Sequence, residues 1–103
     1  MTQVYAERDG KRCVLSAQGH ATGSVEACAA VSGILYALAG YLTNALRERY
    51  VEVYTWQMES GNVQLDFNGD KRTAAAFEMA VIGLSQIAQA HPEQVRVEFM
   101  EEK

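Results

Sequence analysis

The stretch GHATGSVEACAAVSGILYALAGYLTNAL, residues 19–46, decides the fold, because it sets a short loop directly before a long uncharged helix. Ser24 is placed to cap that helix: its hydroxyl can accept one of the N–H groups left unpaired in the first turn. Glu26 puts a carboxylate where the helix dipole favours it. From there Cys28, Val31, Leu35, Leu38, Leu42 and Leu46 recur at helical spacing, and this stripe is expected to face the core. The roughly opposite stripe holds Ala30, Gly33, Ala37 and Gly40. Residues this small admit another backbone, so a second helix or a second subunit is expected on that side. Ala27 to Leu46 is free of charge over a length that could span a bilayer. It is interrupted by Ser32, Gly33, Gly40, Thr43 and Asn44, and much of the rest is alanine. The reading is therefore a helix buried on several sides within a soluble domain, with no membrane contact.

Working outward, Thr2 to Arg8 can form a strand. Asp9-Gly10 is a hairpin turn signal before a second strand, Lys11 to Gln18, with Cys13, Leu15 and Ala17 on one face. Beyond the helix, Glu52 to Glu59 and Asn62 to Phe67 read as two strands joined at Ser60-Gly61. Asn68-Gly69-Asp70 caps a second helix running to about Ala90, with Ala74, Phe77, Val81, Leu84 and Ala88 as its core stripe. Pro92 stops it, and Gln94 to Met100 alternates as a last strand, with Val95, Val97 and Phe99 on one face. The order ββαββαβ implies a single α+β domain over 1–103: one mainly antiparallel sheet packed with two helices.

Composition narrows the functional classes. A chain of 103 residues supports one modest core, and 49% apolar with 21% charged residues is the balance of a globular protein. A net charge of −4 gives no electrostatic reason to bind nucleic acid or an anionic membrane, though it leaves room for a basic peptide. Cys13 and Cys28 lack CxxC spacing, and the only histidines are His20 and His91, so no metal or other cofactor is expected. The start Met-Thr-Gln-Val-Tyr lacks a basic region followed by an apolar one, and the expected compartment is the reducing cytoplasm.

Cys28 lies about one turn inside the first helix. There the free backbone N–H groups and the dipole favour a thiolate and can donate to an oxyanion. His20 sits at a strand end, and seven loop residues separate it from Cys28, enough for the two to meet. A Cys–His pair is the minimum for nucleophilic acyl transfer: the imidazole takes the thiol proton and later protonates the leaving amine. On spacing alone the plainer readings stay open. A cysteine on an apolar helix stripe is usually an inert core residue, and a histidine beside glycine is usually a solvated turn residue. Ser32 could orient the site or bond its own i−4 carbonyl. Cys13 reads as core and His91 as a helix-terminus residue. Trp56 and the tyrosines read as core or interface, since no basic residues interleave with them.

Gly19-His20-Ala21 followed by Cys28-Ala29-Ala30-Val31-Ser32 resembles the paired signature of the ribosomal-processing cysteine protease (Prp) family, the YsxB-like proteins. The run Val81 to Ala88, with His91-Pro92 and Val95-Arg96-Val97, is similar to that family's second helix and last strand, with His91 in place of its usual tyrosine. The resemblance implies a homodimeric α+β domain and a catalytic dyad, with Cys28 as nucleophile and His20 as base. Gly19 would set the loop's turn and Ser32 would be a supporting residue. It also implies a protein substrate: an N-terminal extension on a large-subunit ribosomal protein, cut after an aromatic residue. Two departures are visible. The loop between histidine and cysteine is several residues shorter than in the family, and Val25 stands where the family has an aspartate. Because that loop orders over the substrate in the family, both departures bear on substrate choice. The alternative from another class is a non-catalytic homodimeric interaction domain of the same fold, binding a ribosomal or phage structural protein. A thiol redox module has less support without a CxxC. Surplus apolar surface, with Tyr36, Tyr41 and Trp56 as candidates, also favours a homodimer.

Overall fold

Alternation of apolar residues along the first two strands decides which way the sheet faces. The computed structural model describes residues 1–102. It contains β1 (Thr2–Asp9), β2 (Arg12–Gln18), α1 (Val25–Arg47), β3 (Val51–Glu59), β4 (Asn62–Gly69), α2 (Lys71–Ala90) and β5 (Val95–Glu102). The five strands form one sheet in the order β3-β4-β2-β1-β5. Every pairing is antiparallel except β1 with β5. This is the α+β architecture expected from the element order.

The register stacks apolar residues on one face. Val4 lies opposite Ala17, Ala6 opposite Leu15, Cys13 opposite Phe67, and Leu15 opposite Leu65. All of these are buried, because a period of two sends every second side chain to the same face. Both helices cover that face, where Phe67 and Phe77 meet edge-on at 5.8 Å between centroids. Phe77→Ala would remove this contact and leave a cavity, at a cost of about 3–5 kcal/mol. On the other face Arg12 grips Asp66 through two hydrogen bonds of 2.9 and 2.6 Å.

Ser24 caps α1, its Oγ accepting the Ala27 N–H at 3.1 Å. Val31, Leu35, Leu38 and Leu42 are buried as the stripe requires, but Leu46 is 44% exposed. Successive steps of four residues turn 400°, so the stripe drifts by about 40° each time, and Ala45 takes the inward position instead. Of the two covers expected for the small-residue stripe, a second helix or a second subunit, the first is absent. No helix of the same chain covers it: a Cβ on Gly33 or Gly40 would meet nothing within 4 Å. α2 must also reach the sheet, so it lies beside α1 rather than over it. Contact falls on the neighbouring flank, where Ile34 sits so close to Gly83 that a Cβ there would be 2.7 Å from its Cδ1. By length and composition α1 could cross a membrane, yet Leu35, Leu38 and Leu42 face this core and its outer side carries alanine and glycine.

Asp70 caps α2, accepting N–H groups from Arg72 and Thr73 at 3.0 and 3.4 Å. The Arg72 guanidinium bonded to it holds its carboxyl below the usual aspartate range. At the other end His91 is the C-cap, its N–H bonded to the Ile87 carbonyl at 2.8 Å.

Candidate active site

The chain leaves β2 through Gly19, whose φ of +90° is a left-handed conformation that suits glycine. A Cβ there would also run into the Met1 carbonyl oxygen. The Gly19 N–H donates to the Gly61 carbonyl at 2.9 Å, at the tip of the β3–β4 hairpin. This bond sets the next residue, His20, on the hairpin: a Cβ on Gly61 would lie 2.5 Å from His20 Nε2. Ala21 is buried and anchors the loop, and the Ser24 N–H returns to its carbonyl at 3.2 Å. Ser24 then starts α1, and Cys28 follows one turn later.

Cys28 is half-buried, so it is not sealed in the core as a full member of the leucine stripe would be. It shares a cleft of about 140 Å³ with His20, Gly19 and Ser32, and all four expected site residues therefore reach one place. Val31, Leu35 and Tyr36 of α1 form an apolar wall, and residues 58–63 of the hairpin form the wall facing it. That hairpin wall was not anticipated from the sequence, where Ser60-Gly61 signals only a turn. Glu59 is the carboxylate on the cleft wall. Val25 is 86% exposed, so the valine that replaces the family's aspartate points to solvent.

The supply of oxyanion donors is narrower than the sequence suggests. The Ala27 N–H is taken by Ser24 Oγ, and the Cys28 N–H by the Ser24 carbonyl at 3.1 Å. Val25 and Glu26 keep N–H groups that donate to no partner among the described residues, but neither residue lines the cleft. Ser32 lies on the cleft, while the i−4 back-bond of this helix is made by Thr43, to the Ala39 carbonyl at 3.0 Å. Cys13 is a different case. It is fully buried in mid-sheet, and loss of solvent pushes its thiol up to about 11. Among the described residues no group of three or more His, Cys, Asp or Glu side chains gathers where a metal could sit.

A thiol one turn into a helix, an imidazole on the same cleft and an apolar wall are the groups that acyl transfer on a peptide carbonyl requires. Similarity to known proteins points the same way. The structure of SMU.848 from Streptococcus mutans is similar with a TM-score of 0.72 and 22% identity, covering 99% of this chain and 96% of that one. The essential ribosomal processing protease Prp from S. aureus, solved with a covalently linked product peptide, matches at 0.73 and 14%, covering 96% and 99%. The same protease with a substrate peptide matches at 0.69 and 14%, with the same coverage. At these identities the likeness establishes the fold. No curated protein sequence is significantly similar to the chain. The sequence model of the cysteine protease Prp family matches residues 1–96, nearly all of the α+β domain and both sides of the cleft, and the chain belongs to that family of cysteine proteases.

Proposed function

We propose that this chain is a cysteine endopeptidase that removes an N-terminal extension from a large-subunit ribosomal protein precursor, or a similar short extension, with Cys28 as nucleophile and His20 as base. The observation that carries the reading is that β2 and the hairpin bring His20 onto the same cleft as the thiol at the start of α1. In the reaction the Cys28 sulfur bonds to the scissile carbonyl carbon while His20 accepts the thiol proton. The carbonyl oxygen becomes an oxyanion near the N-terminal end of α1, where the helix dipole favours negative charge. Collapse breaks the C–N bond, and His20 returns its proton to the leaving amine. Water, deprotonated by His20, then hydrolyses the thioester and frees Cys28. Ser32 and Gly19 act in support, one on the cleft wall and one at the turn that carries His20.

The wall of Val31, Leu35, Tyr36 and Met58 suits a large apolar or aromatic side chain beside the scissile bond. The S. aureus relative is a ribosomal processing protease and binds peptides, which supports the choice of substrate. A homodimer in the cytoplasm completes the proposal. The uncovered α1 face, with Gly33, Gly40 and a 69% exposed Tyr36, is the surface a second copy would cover, and light scattering at micromolar concentration reads its mass.

The decisive experiment incubates the protein with the same genome's ribosomal-protein precursor. A single cut that disappears in Cys28→Ala is expected, with a loss of at least about 10⁴-fold. Equal cutting by wild type and Cys28→Ala refutes the mechanism. A protein that binds the precursor without cutting it is the interaction domain instead.

A further inference from the structure

The loop that joins His20 to Cys28 is fastened at both ends by residues from distant elements. At its start the Gly19 N–H bonds the Gly61 carbonyl of the β3–β4 hairpin. At its end the Gly23 N–H donates to Gln94 Oε1 at 2.9 Å, across 71 residues of sequence. Gly23 lies so close under the Gln94 carboxamide that a Cβ there would displace it from its present position. Gln94 is itself fixed: its backbone N–H bonds the His91 carbonyl at 2.9 Å, and its carbonyl accepts the Thr2 N–H at 2.8 Å. The backbone of Gln94 is thus held, and its carboxamide is a bracket that bridges from the last turn before β5 to the residue just before the α1 cap.

We infer that Gln94 is a positioning residue for the reaction: its side-chain oxygen holds Gly23 so that Ser24 caps α1 and Cys28 stays turned toward His20. The inference rests on the Cys28–His20 reading above. Neither Gln94 nor Gly23 lines the cleft, so the bracket acts only through the loop and touches no substrate. A loop four residues long between His20 and α1 has little slack, and release of one end shifts the thiol against the imidazole. Misplacement by about 1 Å is enough to cost roughly a hundredfold in rate. The effect falls on kcat and leaves KM nearly untouched, because the walls that hold the peptide are elsewhere.

Three variants test this. Gln94→Leu keeps the size of the side chain and removes the acceptor, Gln94→Glu keeps an acceptor, and Gly23→Ala drives a methyl into the bracket. The probes are iodoacetamide and a peptide spanning the junction of the ribosomal-protein precursor extension. Gln94→Leu and Gly23→Ala are expected to lower kcat roughly ten- to hundredfold with KM within about twofold. Their rate of Cys28 alkylation at neutral pH should fall along with kcat. Gln94→Glu should restore kcat to within about threefold. Wild-type kinetics in Gln94→Leu, or equal losses in Gln94→Leu and Gln94→Glu, overturn the inference. Should the wild type itself cut no peptide, the dyad reading fails. The bracket is then judged on Gly23 amide exchange, which must be slow in wild type and Gln94→Glu and fast in Gln94→Leu.

Discussion

The molecule holds two cysteines in opposite circumstances. Cys13 sits near the start of β2, the central strand of the sheet, between its neighbours on β1 and β4, with no exposed surface and with the charges of Arg8 and Glu78 acting on it. Cys28 sits at the first turn of α1, half-buried, with one side open to a cleft it shares with an imidazole. The same atom is a small hydrophobe in one place and a candidate nucleophile in the other. What separates them is solvent access and the local backbone: a strand interior offers a thiolate no stabilising N–H group, whereas a helix start does.

The sharpest way to break this contrast is alkylation of the native protein at neutral pH. Cys28 should react with iodoacetamide at least about a hundredfold faster than Cys13, whose thiolate is scarce at a value near 11 and whose sulfur is reached only by unfolding. Mass mapping after partial labelling reads the ratio, and comparable rates would make the two sites equivalent. Stability should show the reverse order. Cys13→Ser puts a hydroxyl into a dry sheet interior and should cost about 1–3 kcal/mol in urea unfolding, while Cys28→Ser should cost less than about 1 kcal/mol. The smallest effect comes from pH. Because folding raises the Cys13 value above its ordinary 9.0 to about 11, the folded state holds the proton that the unfolded state releases. Its contribution is intact below pH 9 and is lost as pH rises toward 11. After allowance for solvent screening the loss at pH 9 should be under about 0.5 kcal/mol, growing above it. Cys13→Ala should flatten that part of the alkaline stability curve.

Much of this contrast was legible in the sequence. Alternation put Cys13 on the inward face of its strand with Leu15 and Ala17, and the helical period put Cys28 one turn from Ser24, because both patterns are local. The unreadable parts all depend on long-range pairing. Nothing in residues 58–63 indicates that the hairpin returns to carry His20, since the bond from Gly19 to Gly61 joins positions 42 residues apart. The role of Gln94 is hidden for the same reason: glutamine before a strand is unremarkable until Gly23 is seen beneath it. The outward turn of Leu46 was missed, and the choice between a second helix and a second subunit over Gly33 and Gly40 stayed open, because a stripe gives a direction while only the packed neighbours say how far the cover extends.

The parallel pairing of β1 with β5 has a consequence for how the protein comes into being. Thr2 lies beside Val95, so a loop of more than ninety residues must close before β1 gains its second neighbour. Contacts this far apart in sequence slow folding, because chain entropy is lost before the contact rewards it. During synthesis, β1, β2, α1 and the β3–β4 hairpin can assemble while β5 is still inside the ribosome. The nascent chain then holds His20 and Cys28 but has no β5 beside Thr2. The structure therefore makes completion of the sheet a late event, and nascent chains released before β5 should be less protected from proteolysis at residues 19–24 than the finished domain.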